Sequence, residues 1–209
     1  MPNFTDLTGL ASLASATAAS LLLLPGIVRL TKPRLALLLG AVFVLALIPF
    51  GTIPIAAYVR GATGDLSITT LVFLCCALLR PWCGWVTVEA KHRLALLILT
   101  VLAALALYPM ALGVGAYDPY RMGYGNPQFV AVLLLVTLAA WFWKSSLIAL
   151  CIAFATLAWA VGWYESNNLW DYLLDPFVSI YALAAIMIHA VKAILHRGRS
   201  HELQPPLPG

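Results

Sequence analysis

Seven apolar runs, at approximately 9–28, 35–59, 66–82, 94–114, 128–143, 147–164 and 176–195, take up most of the 209 residues. Runs of about 18 or more residues with almost no charge are what a membrane-spanning helix requires, because each residue advances only ~1.5 Å along the axis. The fifth and sixth runs are short. Charged residues make up 10% of the chain and its mean hydropathy is +0.95, whereas a soluble domain carries roughly 25% charge. The expected fold is an all-α integral membrane protein with about seven transmembrane helices. Residues 1–198 read as one polytopic membrane domain and 199–209 as a short Pro-rich tail. The first run follows Asp6 and no Lys or Arg, the pattern of a retained helix and not of a cleaved leader.

The charges between the runs set an orientation. Ten of the twelve Lys and Arg, from Arg29 to Arg199, fall in the first, third and fifth connections and after the last run. The alternate side holds only Arg60 and Arg121, together with Asp6, Asp65, Asp118, Glu165, Asp171 and Asp175. Positive charge stays cytoplasmic, which places the N-terminus outside and the C-terminus inside. The +4 net charge then implies basic loops facing an anionic leaflet and no nucleic-acid partner. The expected localisation is the bacterial inner membrane, with membrane lipids as partners.

Several chemistries lack their residues. Cys75, Cys76, Cys83 and Cys151 have no C-x-x-C spacing and read as reduced packing residues, without a disulfide framework or a metal site. No charge lies in the middle of the first six runs, which counts against coupled ion transport. His189 and Lys192 fall near the cytoplasmic end of the last run, too deep for a retinal-type lysine. Haem would need paired histidines, and His92 with His189 or His196 makes a contrived pair. No cofactor is expected.

The features left over point to two regions. Ala11, Ser15 and Ala19 place small residues at every fourth position of the first helix, a stripe that lets helices approach closely in lipid. It serves internal packing or a seam for an envelope protein partner. The second run is interrupted by "IPFGTIP", where Pro49, Gly51 and Pro54 break a helix, as in the partly re-entrant helices of transporters. Pro109 interrupts the fourth.

The outer connections carry the chemistry. "GATGDLS" at 61–67 is a turn and helix start, capped by Asp65 or Ser67. "AYDPYRMGYGNP" at 116–127 holds Tyr117, Asp118, Tyr120, Arg121 and Tyr124 between two turn signals. "YESNNLWDYLLDPF" at 164–177 has three carboxylates and no cation. On a helical wheel Leu169, Trp170, Leu173, Leu174 and Phe177 share a sector while Asp171 and Asp175 stack at i,i+4. That predicts a short amphipathic helix over 168–175 in the outer interface, capped by Asn167 or Asn168. Asp175 before Pro176 reads as the cap of the last helix.

The candidate catalytic acids are Asp118, Glu165 and Asp171. The candidate binding residues are Arg60, Asp65, Tyr117, Tyr120, Arg121, Tyr124, Trp170 and Asp175. Carboxylates brought together suit acid–base chemistry or sugar hydroxyls, Arg121 suits Asp118 or a phosphate, and the aromatics suit a glycan face. Three functions fit: an accessory subunit or lipid- or partner-binding component of a cell-envelope system acting at its periplasmic face, an enzyme on a lipid-linked or glycan substrate, and a small-solute transporter.

Overall fold

The computed structural model describes residues 4–83 and 89–202, which are mostly helical (76%). Helix α1 (Phe4–Ser20) passes through two 3-10 turns into α2 (Lys32–Leu47), which starts with Pro33 in its first turn, where a missing N–H costs nothing. Strands β1 (Pro49–Phe50) and β2 (Ile53–Pro54) form a minimal antiparallel hairpin. Then come α3 (Ile55–Thr63), α4 (Ile68–Leu79), α5 (Ala90–Ala111), α6 (Pro127–Phe142), α7 (Ser146–Ala160), α8 (Leu169–Leu173) and α9 (Pro176–Glu202). The expected tail from 199 begins inside α9. Residues 203–209 lie outside the described residues, as do the side chains of His196, Arg197 and Arg199.

Among the described residues three helical stretches are long and apolar enough to cross a membrane: Thr5–Leu23, Ala90–Ala111 and Pro176–Leu195. Helices α4, α6 and α7 are apolar but shorter, with 12, 16 and 15 residues. The run at 35–59 is not one kinked span. It is two helices joined by the β1–β2 hairpin, with Gly51 at φ +82° in the turn. Pro49 and Pro54 have no N–H to continue the helix ladder, so the backbone pairs across the turn instead. Pro109, by contrast, stays within α5 one turn from its end.

Helix α1 packs on α2, α3 and α4, α5 packs on α9, and α7 on α6 and α4. Ala18, Leu35 and Leu39 close the α1–α2 contact, while Leu96, Ala140, Ile148 and Cys151 bring α5, α6 and α7 together. At the α6–α7 corner Lys144 takes a left-handed φ of 56°, so that the Ser145 N–H reaches Ala140 O at 2.8 Å and ends α6. The first residues of α1, α4, α6 and α9 meet at one end of the bundle, where the chain carries Asp6, Asp65, Asp118, Glu165, Asp171 and Asp175. This is the acidic end. Arg29, Lys32, Arg34, Arg80, Lys91 and Lys144 belong to the connections of the other end.

Helix α8 departs from the sequence expectation. It is one turn, five residues long, and both Leu169 and Tyr172 are fully buried against Ile68, Phe129, Ala155 and Tyr164. It plugs the acidic end of the bundle and does not lie along its surface. Leu174 is extended, with φ −144° and ψ 134°, so the helix stops there. Asp171 and Asp175 therefore diverge and do not stack.

Candidate functional site

The acidic end is held together by three polar clusters, each built where connections meet. The first surrounds Arg60, at the end of α3. Its guanidinium donates through Nε and Nη2 to both oxygens of Asp65, at 2.7 and 3.0 Å, and through Nη1 to Asp6 at 2.8 Å. Glu165 lies 3.7 Å from Nη2. The bidentate fork suits Arg and would not suit Lys. Asp65 and Asp6 raise the pKa of Arg60 further above its ordinary value, against the opposing effect of burial. Gly9 of α1 makes the approach possible: a Cβ there would stand 2.3 Å from Asp65 Oδ1 and 2.7 Å from Arg60 Nε. Among the described residues one guanidinium meets three carboxylates, so acid outnumbers base in the cluster. Glu165, 61% exposed, is the most accessible of them.

The second cluster surrounds Asp175, which is only 4% exposed. Its Oδ2 accepts from the Ser67 N–H at 2.7 Å and from the Thr70 hydroxyl at 2.5 Å, while Oδ1 accepts from the Val178 N–H at 2.8 Å. Ser67 is itself the N-cap of α4 and accepts from the Thr70 N–H. One carboxylate thus satisfies donors at the starts of two helices, where the partial positive charge of the helix end favours an anion. Asp175 caps the last helix as the sequence implies, and Ser67, not Asp65, caps α4. That Asp175 also holds α4 is a tertiary fact.

The third cluster docks the 116–126 connection on α8. Asp171 accepts from the Tyr120 hydroxyl at 3.0 and 3.1 Å and from the Ser166 hydroxyl at 2.5 Å. Asn168, fully buried, caps α8 and donates to Tyr120 O at 2.9 Å. Trp170 donates to Pro119 O at 3.0 Å and lays its ring 4.6 Å from that of Phe129. Gly123 permits this contact, since a Cβ there would fall 1.7 Å from Asn168 Oδ1. The Tyr172 hydroxyl receives the Tyr164 N–H and donates toward Tyr164 O and Ser166 O. Burial, aided by Asp171, pushes the Tyr120 hydroxyl well above its usual pKa, burial does the same for Tyr164, and burial also raises Tyr172 against the lowering effect of its hydrogen bond with the Tyr164 backbone.

The remaining expected residues divide by accessibility. Asp118 accepts from the Tyr120 N–H and caps the 3-10 turn Pro119–Gly123, so its pairing with Arg121 is not formed; a carboxylate two residues back from a free N–H finds it first. Arg121 is exposed and makes no ion pair among the described residues. Tyr124 packs edge-on against Tyr120, and Tyr117 reaches Met122 Sδ; both are exposed. The carboxylates thus fall into separate clusters, and the described residues hold no group of three His, Cys, Asp or Glu placed for a metal ion. Sequence reasoning offered Ser67 as a cap but passed over Thr70, Ser166, Tyr172 and both glycines. "DLS" before α4 and "ESNN" before α8 were the available signals.

An apolar groove of about 370 Å³ runs between α1 and α4. Ala11 and Ser15 of the small-residue stripe line it, opposite Leu74 and Cys75, with Thr8 and Trp163 at its acidic end. The Thr8 hydroxyl donates to Trp163 O at 2.6 Å, which ties the groove mouth to the connection carrying Glu165. No family model, no curated protein and no solved structure matches the chain.

Replacing Asp175 by Ala leaves three donors unserved at two helix starts. The expected loss is about 2–4 kcal/mol of stability, read as a lowered thermal midpoint in detergent. The tyrosines set a pH limit. A tyrosine with a folded pKa above its unfolded value of about 10 holds its proton more tightly when folded, so its contribution is complete below pH ~10 and is lost as the pH rises through the folded value. The melting midpoint is expected to fall only above about pH 10, and less steeply in Tyr120→Phe.

Proposed function

We propose that this chain is a seven-span protein of a bacterial cytoplasmic membrane, N-terminus outside, serving as a non-catalytic lipid- or partner-binding component of a cell-envelope system. The observation that carries this reading is the use of the acidic-end carboxylates. Asp118 caps a turn, Asp171 fastens Tyr120 and Ser166, Asp175 joins two helix starts, and Asp65 forks onto Arg60. Groups committed to backbone donors and ion pairs hold a shape and are poorly placed to exchange protons with a substrate. The open groove along the small-residue face of α1 offers the contact surface. In this reading the acidic end faces the periplasm, as the distribution of Lys and Arg requires.

The enzyme reading keeps one point in its favour: Glu165 and Arg121 are accessible charges at the same end, near the exposed rings of Tyr117 and Tyr124. Helices shorter than 18 residues can still cross where the bilayer thins or neighbours shield them, which supports counting α2, α4, α6 and α7 among the spans.

Native mass spectrometry of tagged protein extracted gently from its own membranes tests the reading. A stoichiometric protein partner or a retained lipid is expected. A bare chain, together with loss of a glycan- or lipid-processing activity in Glu165→Gln, would sink it. For the orientation, a C-terminal green fluorescent protein fusion is expected to fluoresce and a C-terminal alkaline phosphatase fusion to be inactive. The reverse pattern would invert the topology.

A further inference from the structure

We infer that the α1–α4 groove is a binding site for one acyl chain of a membrane lipid whose head group carries an amine. The inference rests on the lipid-binding half of the reading above and names the lipid chemistry. The groove lining is apolar apart from Thr8, Ser12 and Ser15, and Ser12 and Ser15 turn their hydroxyls back onto Gly9 O and Ala11 O of their own helix. It therefore asks for hydrocarbon. Its rim residues Leu7 and Cys75 are exposed, so it is open to the side at the depth of the apolar helices.

Size selects the occupant. From Leu7 to Ser15 the groove follows α1 for roughly 12 Å, close to the ~15 Å of one leaflet of a 30 Å hydrocarbon core. A helix about 10 Å across does not seat within 370 Å³ over that length; an extended acyl chain does. The small side chains of Ala11 and Ser15 keep the floor clear.

Charge selects the head group. The connection that closes the acidic end of the groove through Trp163 carries Glu165, a member of the Arg60 cluster, in which the described residues set three carboxylates against one guanidinium. Arg60 already gives Nε, Nη1 and Nη2 to Asp65 and Asp6, so it has little left for a phosphate. The excess is negative, and Glu165, two residues beyond the groove-lining Trp163, is its exposed member. An ammonium group at the head-group level complements this site, while an anionic glycerol head does not.

The test uses the full chain in nanodiscs of equal parts phosphatidylethanolamine and phosphatidylglycerol with identical acyl chains, released into native mass spectrometry. Wild type is expected to keep one phosphatidylethanolamine, about fivefold over phosphatidylglycerol. Ser15→Leu fills the groove and is expected to abolish retention. Glu165→Gln, a surface change that spares the fold, is expected to bring the two lipids to equal retention. Equal retention in wild type overturns the amine assignment. Undiminished retention in Ser15→Leu, with a wild-type melt, overturns the groove. A partner protein retained from native membranes with no bound lipid also overturns the inference, yet leaves the partner-binding reading standing.

Discussion

A helix start away from water leaves N–H groups that nothing within the helix can satisfy. In this chain one buried carboxylate, Asp175, answers that need for two helices together. It takes the Ser67 N–H and Thr70 hydroxyl of α4 and the Val178 N–H of α9. Because α4 packs on α1 and α7, and α9 packs on α5, the junction couples both halves of the bundle. The Thr69 hydroxyl adds a bond to Leu173 O at 2.7 Å, so the short helix before α9 is drawn to the same point. The inward position of α8 follows. Its backbone and that of the preceding loop are served by Asn168, Ser166 and the Tyr172 hydroxyl. A buried irregular loop is tolerated only where protein groups take the place of water.

The Arg60 cluster works by the same rule with charges. A half-buried guanidinium costs free energy unless it is paired and hydrogen-bonded. Asp6 comes from α1 and Asp65 from the link to α4, so the pairing ties the amphipathic α3 to both neighbours. Gly9 is the space that the ion pair needs. The surplus of carboxylate makes the end of the bundle electronegative beside a groove lined by hydrocarbon. Structure and proposed lipid contact thus share the same residues: the fold creates the charge imbalance, and the small side chains of α1 leave the space.

Much of this was legible in the sequence. Helix class, apolar runs and the separation of acids from bases follow from composition and spacing, since hydrocarbon admits few charges and the backbone must close its own hydrogen bonds there. The caps Ser67, Asn168 and Asp175 also follow from local chemistry, because a cap acts within three residues. The Pro–Gly–Pro interruption announced a break. That it is a hairpin between two helices, and not a kink within one span, is seen only in the structure, where Gly51 turns the chain at φ +82° and Pro49 pairs with Pro54.

What the sequence could not decide is where each acid would find its partner. Asp171 and Asp175 look like a stacked pair by spacing, but the extended Leu174 sends one to Tyr120 and the other to Ser67. Asp118 and Arg121 look like an ion pair, but a backbone N–H lies nearer to the carboxylate. Local rules see only neighbours along the chain, whereas Ser67 and Asp175 are 108 residues apart and Tyr120 and Asp171 are 51. The amino-acid sequence by itself determined an apolar, helical chain with an acidic and a basic end. Only the tertiary structure decided which carboxylates became structural and which, like Glu165, stayed exposed, because burial and pairing depend on the elements that meet around each group.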